Sequence, residues 1–225
     1  SMPQLPLSLV PPRRKRLDNF IAGANPSLVS ALRHRLDERG WVLLCGPEGT
    51  GKSHLALGVL AKWSALQRPA CFVPCRRPGA AELLAGGEAE LAVVEDIEAL
   101  AGRRQDELGL FNALNRWSAA RTAVLMTGRG ATPFDLPDLV SRVGQAARLT
   151  LKPLDDEGLA RLIRQLIVDF HVVPGRGLAE YLMRHGPRSA AGLVELFETA
   201  SHRSQAERRV VSVPLVRAAM KEVPD

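Results

Sequence analysis

No apolar run in this 225-residue sequence approaches the length of a membrane-spanning helix, about 20 residues, and the N-terminus lacks the charged, apolar and small-residue order of a secretory signal. Both absences predict a cytoplasmic protein that makes no membrane contact. Cysteine is scarce as well. Cys45, Cys71 and Cys75 lie in or beside apolar runs without CxxC spacing, and no second cysteine or histidine pair completes a four-ligand set. A structural zinc site is thereby set aside, and buried thiols are expected. The sequence carries neither an internal repeat nor a long low-complexity tract.

What is present is ordinary globular material. Hydrophobic residues make up 46% and charged residues 24%, enough for one compact unit or for a core with a small satellite. The formal net charge of +6 suits an acidic partner such as DNA and suits a solvated surface equally. "RRKR" at 13–16 follows a Pro-rich start and reads as part of a mobile arm over 1–16. Next comes a helix signal: Asn25 can cap, Pro26 suits the first helical position, and Leu28, Leu32 and Leu36 recur every four residues until Gly40. Short β-prone runs then appear at 41 ("WVLLC"), 71 ("CFVP"), 91 ("LAVVE"), 123 ("AVLMT") and 147 ("ARLTL"), most of them separated by helix-length stretches. Unbroken apolar strands alternating with helices predict a parallel sheet covered on both faces, an α/β domain over 17–154. From 155 onward the pattern is helical. Leu159, Leu162, Ile163, Leu166 and Ile167 keep helical spacing, and 177–185, 189–203 and 213–222 also read as helices, which predicts a small all-helical domain over 155–225.

Between the run at 41 and the next helical stretch lies "CGPEGTGKSH". Residues 46–53 fit G-x-x-x-x-G-K-S in full, in the strand-to-helix setting that the motif's mechanism needs. Gly46, Gly49 and Gly51 let the backbone curl so that successive N–H groups face one anion, with the positive end of the following helix behind it. Lys52 would reach the β and γ phosphates, and the Ser53 hydroxyl would ligate magnesium. Downstream, "LAVVEDIE" is a hydrophobic strand ending in Glu95 and Asp96. A carboxylate at such a strand end can hold the magnesium ion, here Glu95, while its neighbour Asp96 orients an attacking water.

These residues resemble the DnaA-type branch of the AAA+ ATPases, and within it the small regulators that inactivate the replication initiator DnaA; the likeness covers nearly the whole chain. It implies an AAA+ P-loop parallel-sheet domain followed by an all-helical lid, with ADP or ATP and magnesium as ligands. "RLDNFIAGANPSL" is similar to the segment that lies over the adenine in this branch, placing Asp18, Asn19, Phe20 and Ile21 near the base. "GPEGTGKSH" and "VVEDIEALAG" look like its two nucleotide motifs, which adds Pro47, Glu48, Thr50 and His54 to the nucleotide-binding set. "LPDLVSRV" is similar to the box that supplies an arginine finger, making Arg142 the finger. Thr127, at the end of "TAVLMTG", stands where the family senses the γ phosphate and reads equally as a residue that ends a strand. "GPRSAAGLVELF" resembles the second sensor motif, so that Arg188 would fold over the phosphates. "QLPLSL" at 4–9 is similar to the peptide that docks such regulators on the sliding clamp: Gln4 would hydrogen-bond while Leu5, Leu7 and Leu9 enter an apolar pocket.

Two departures qualify the resemblance. Glu95 stands where the family usually has Asp, which implies altered magnesium geometry and weak intrinsic hydrolysis. The chain ends at Asp225 without room for the helix-turn-helix with which the full initiator reads origin DNA, so recognition of origin sequences is not expected. Three functions stay open. One is a regulator that binds nucleotide, reaches DNA indirectly through the clamp and offers Arg142 to ATP held by DnaA. Another is a homo-oligomeric ATPase or helicase loader acting on DNA. A third is a scaffold that uses nucleotide as a structural ligand.

Overall fold

In the computed structural model, which describes residues 25–207 and 210–222, the β-prone runs become strands β1 (Trp41–Cys45), β2 (Ala70–Pro74), β3 (Leu91–Glu95), β4 (Ala123–Gly128) and β5 (Ala147–Thr150). They form one parallel sheet in the order β2-β3-β4-β1-β5. Every residue of β1, β3 and β4 is buried, as strands covered on both faces require. Edge strand β5 instead alternates half-buried and exposed positions.

The helices of the sheet unit are α1 (Pro26–Asp37), α2 (Lys52–Ala65), α3 (Ala80–Leu84), α4 (Arg104–Ala120) and α5 (Pro137–Val143), with a 3-10 turn at Ile97–Leu100. On one face of the sheet, Leu43, Val94 and Met126 pack with Leu110, Leu114 and Trp117 of α4 and with Leu139 and Val143 of α5. Alternation sends the residues between them to the opposite face, where α1 lies on β1 and β4 and α2 on β2, β3 and β4. Helix α1 departs from the expected pattern in two details. Asn25 takes the N-cap position, but its side chain makes no capping bond. Val29 joins Leu32 and Leu36 in the core while Leu28 is only half-buried. A strict four-residue spacing drifts about 40° per step around a helix, and the 3-then-4 spacing from Val29 stays on one face.

The remaining helices are α6 (Asp156–Asp169), α7 (Leu178–His185), α8 (Ala190–Glu207) and α9 (Val213–Met220). Their starts are chemically marked. Asp155 accepts the Gly158 N–H at 2.8 Å to cap α6, and Ser212 accepts the Leu215 N–H at 3.3 Å to cap α9. Leu159, Leu162, Ile163 and Leu166 of α6 are buried, as are Leu193, Val194 and Phe197 of α8. The described chain divides into two compact units: residues 25–48 and 52–151 form the first, and residues 49–51 with those from 152 onward form the second. No helix among the described residues is long and apolar enough to cross a membrane.

Candidate functional site

In a parallel sheet all carboxyl ends leave from one edge, and this brings together segments far apart in sequence. From β1 the chain enters the glycine loop, where Gly46, Gly49 and Gly51 have φ of +148°, +76° and +97°. Side chains other than glycine rarely adopt such angles, so the curl predicted from the motif depends on these three residues. The loop leads into the first turn of α2, which carries Lys52, Ser53 and His54. Lys52 is buried at 7% exposure, and its ammonium donates to the carbonyl oxygens of Gly46 at 2.5 Å and Pro47 at 2.8 Å. Burial holds its pKa below the ordinary lysine value, opposed by the charges of Asp96, Glu98 and Glu48. Thr50, Ser53 and His54 are half-buried, while Pro47 and Glu48 are exposed.

At the end of β3, Glu95 is buried at 9% exposure. Asp96 follows in the left-handed conformation (φ 55°, ψ 56°), which is uncommon outside glycine and asparagine-like residues. Its N–H donates to the hydroxyl of buried Thr127 at 3.0 Å, so Thr127 ties the end of β4 to the turn after β3. The next residues reinforce this junction. The Arg129 main-chain N–H donates to Glu98, and a Cβ at Gly128 would lie 3.0 Å from the Glu98 carboxyl carbon, so only glycine lets that carboxylate rest on the strand end. Arg76 and Arg129 both bind Glu48, and Arg76 Nε also faces Asp96 Oδ2 at 3.3 Å. Hydrogen bonds from Arg76 and then Arg129 draw the Glu48 pKa down to about 2.

Arg142 sits in the last turn of α5. Its Nε donates to Asn115 Oδ1 at 2.7 Å and one terminal nitrogen to Gln145 Oε1 at 3.3 Å. Helix α4 thus holds the side chain from below while leaving it half-exposed. Arg188 belongs to the second unit, where it pairs with Asp156 in the first turn of α6. Gln4, Leu5, Leu7, Leu9, the basic run at 13–16, Asp18, Asn19, Phe20 and Ile21 lie outside the described residues. Cys45 and Cys75 are buried and Cys71 is half-buried; all three are free. Burial pushes the Cys71 thiol up to about 11 and Cys75 up to about 12.

Sequence reasoning missed Arg76, Arg129, Glu98 and Asn115. A signal existed for Arg129, which directly follows a strand whose carboxyl end shares the edge with the glycine loop. No comparable signal marks Asn115, a polar residue within an amphipathic helix.

No protein-family model matches the chain. Among solved structures it is similar to domain III of the Thermotoga maritima replication initiation protein DnaA, with a TM-score of 0.70 and 14% identity over 96% of this chain and 94% of that one. It is also similar to the replication initiator DnaA bound to AMPPCP and single-stranded DNA, with a TM-score of 0.66 and 15% identity over 89% and 69% of the two chains. The Thermotoga maritima RuvB Holliday junction branch migration motor matches with a TM-score of 0.60 and 18% identity over 88% and 68%. The fold is therefore the α/β fold of the AAA+ domains of DnaA and RuvB.

Proposed function

We propose that this chain, on that shared fold, is a nucleotide-binding regulator of DNA replication initiation of the Hda type. An adenine nucleotide, ADP or ATP, seats its phosphates on the N–H groups of 46–51, and Lys52 exchanges its two carbonyl bonds for phosphate oxygens. The observation that supports this most is Lys52 itself. A buried ammonium resting on two loop carbonyls is already placed at the anion site, and burial favours its taking a negatively charged partner.

The residues suit magnesium as well. Ser53 in the first turn of α2 and Glu95 at the end of β3 would hold it. Among the described residues no three His, Cys, Asp or Glu side chains gather into a self-contained metal site. A magnesium ion here would therefore share its coordination with phosphate oxygens and water, and it would neutralise charge on the β and γ phosphates. Asp18, Asn19, Phe20 and Ile21 would cover the adenine, Thr127 and Arg188 would report on the phosphates, and Asp96 would orient water in any intrinsic hydrolysis.

In the cytoplasm the segment carrying Gln4, Leu5, Leu7 and Leu9 would dock on the sliding clamp, reaching DNA through it. Arg142, tethered at Nε by Asn115, would be offered to ATP held by DnaA, where a guanidinium stabilises transition-state charge and raises hydrolysis by about 10³- to 10⁵-fold in comparable enzymes. ATP hydrolysis by DnaA in the presence of clamp-loaded DNA tests this, comparing the intact chain with Arg142→Ala. Equal stimulation by both would remove Arg142 from the role. A second reading, a self-assembling ATPase or helicase loader acting on DNA, is favoured by the likeness to the RuvB motor. It predicts rapid intrinsic turnover and full activity after deletion of residues 4–9.

A further inference from the structure

Two arginines from different strand ends converge on one carboxylate of the glycine loop. Arg76, two residues beyond β2, donates from Nη2 to Glu48 Oε1 at 2.9 Å, and Arg129, directly after β4, donates from Nη2 to the same oxygen. One acceptor oxygen between two guanidinium groups is the environment a phosphoryl oxygen takes. Each arginine is also anchored elsewhere, Arg76 by its guanidinium and Arg129 by its main chain. Arg76 Nε faces Asp96 Oδ2 at 3.3 Å, and the Arg129 main-chain N–H is held by Glu98. The Arg76 guanidinium and the Arg129 main chain would therefore keep their places if Glu48 turned away.

The Glu48, Arg76 and Arg129 side chains are 61%, 56% and 61% exposed, so an anion entering from solvent reaches them, and exposed ion pairs exchange readily. Their location relative to the phosphates follows from Lys52. Its ammonium donates to the carbonyl of Pro47, the residue directly before Glu48, and in loops of this kind that lysine reaches the β and γ phosphates.

We propose that Glu48 and the terminal phosphate of a nucleoside triphosphate compete for the same two arginines, Arg76 and Arg129, whereas a diphosphate is too short to reach them. This rests on the reading of 46–53 as a nucleotide site and adds a selectivity device to it. Glu48 lowers the advantage of triphosphate over diphosphate, because the triphosphate must break both of its ion pairs before it gains the same two cations. Turning Glu48 outward also removes like charge from the place where the triphosphate adds it. Arg76 and Arg129 thereby remain available to the longer ligand when its concentration is high.

Calorimetric titration of the full chain with magnesium ADP and with magnesium AMPPCP, a triphosphate analogue whose terminal bridge is carbon, reads the competition. In Glu48→Gln the ratio of AMPPCP to ADP affinity rises by about tenfold, and in the Arg76→Gln, Arg129→Gln double variant it falls by about tenfold, the scale of one charge-assisted hydrogen bond. Arg129→Lys keeps the charge but loses the planar fork, and it moves the ratio in the same direction as the double variant should the latter fail to fold. A ratio unchanged in Glu48→Gln or in the arginine variants overturns the proposal and leaves nucleotide binding standing. If the unaltered chain takes up neither nucleotide, the reading of the loop has failed too, and the two failures are thereby distinguished.

Discussion

Replacing Glu107 should destabilise the sheet unit more than any surface change near the site. This carboxylate is 0% exposed, and its two oxygens serve two different chain segments. Oε2 accepts the Gly102 N–H at 2.8 Å, in the turn that follows Glu95 and Asp96, and Oε1 accepts the Leu136 N–H at 3.0 Å. Leu136 is the N-cap of α5, the helix that carries Arg142. Glu107→Ala leaves a cavity and takes the acceptor from the half-buried Leu136 N–H, while the N–H of exposed Gly102 can turn to water, for a loss of about 2–4 kcal/mol in all. Glu107→Gln keeps one acceptor and turns an amide N–H toward the other donor, for a loss of about 1–3 kcal/mol. Domains of this size have about 5–15 kcal/mol of stability, so the alanine variant should lose a large share of it and still fold. The assay is favourable: all three tryptophans, Trp41, Trp63 and Trp117, are buried within the first unit, so urea unfolding followed by tryptophan fluorescence reports on that unit alone. A Glu107→Ala midpoint corresponding to less than about 0.5 kcal/mol of loss, the range of ordinary surface changes, would refute the reasoning.

Other predictions concern the same edge of the sheet. Asn115→Ala frees the Arg142 Nε and should lower stimulation of DnaA-bound ATP hydrolysis by about 10- to 100-fold, since loss of positioning alone can cost that much, without changing the chain's own nucleotide affinity. Full stimulation by the variant would show that the tether has no part. Asp96→Gly relieves a left-handed backbone and loses only a partly exposed ion pair, so thermal unfolding should show unchanged stability or a gain of up to about 1 kcal/mol. A clear drop in stability would mean that the turn is not strained. The Cys75 thiol ionises at about 12 in the folded chain against 9.0 when unfolded, so its contribution is intact below pH 9 and is lost as pH rises from 9 toward 12. A Cys75→Ala variant should show a shallower decline over that window, and an identical decline in both proteins would contradict the burial of the thiol.

Where burial alone decides structure, the sequence was readable. "WVLLC" throughout, and "LAVVE" and "AVLMT" up to their last residues Glu95 and Thr127, are apolar because both faces of their strands are covered, and all three form strands in register. The glycine loop was readable because its spacing encodes a backbone curl, and the three positive φ values follow the motif. The cluster of Glu48, Arg76 and Arg129 was not. These residues are separated by 28 and 81 positions, and only the parallel strand order brings their loops to one edge. Glu107 was invisible for a different reason. An acidic residue in the first turn of a helix is what the helix dipole favours at any exposed terminus, so nothing in the sequence separates it from a surface glutamate. The exchange of Leu28 for Val29 in α1 shows the limit of counting by fours when the true period is shorter.

The proposed function depends most on an adenine nucleotide being held by the loop at 46–53. Titration of a fluorescent ADP analogue against the full chain, with magnesium present, measures this directly, with Lys52→Ala as the comparison. Saturable uptake of one nucleotide per chain, abolished or weakened by at least about tenfold in the folded Lys52→Ala variant, is the expected result. No uptake by the parent, or equal uptake by the variant, would contradict it.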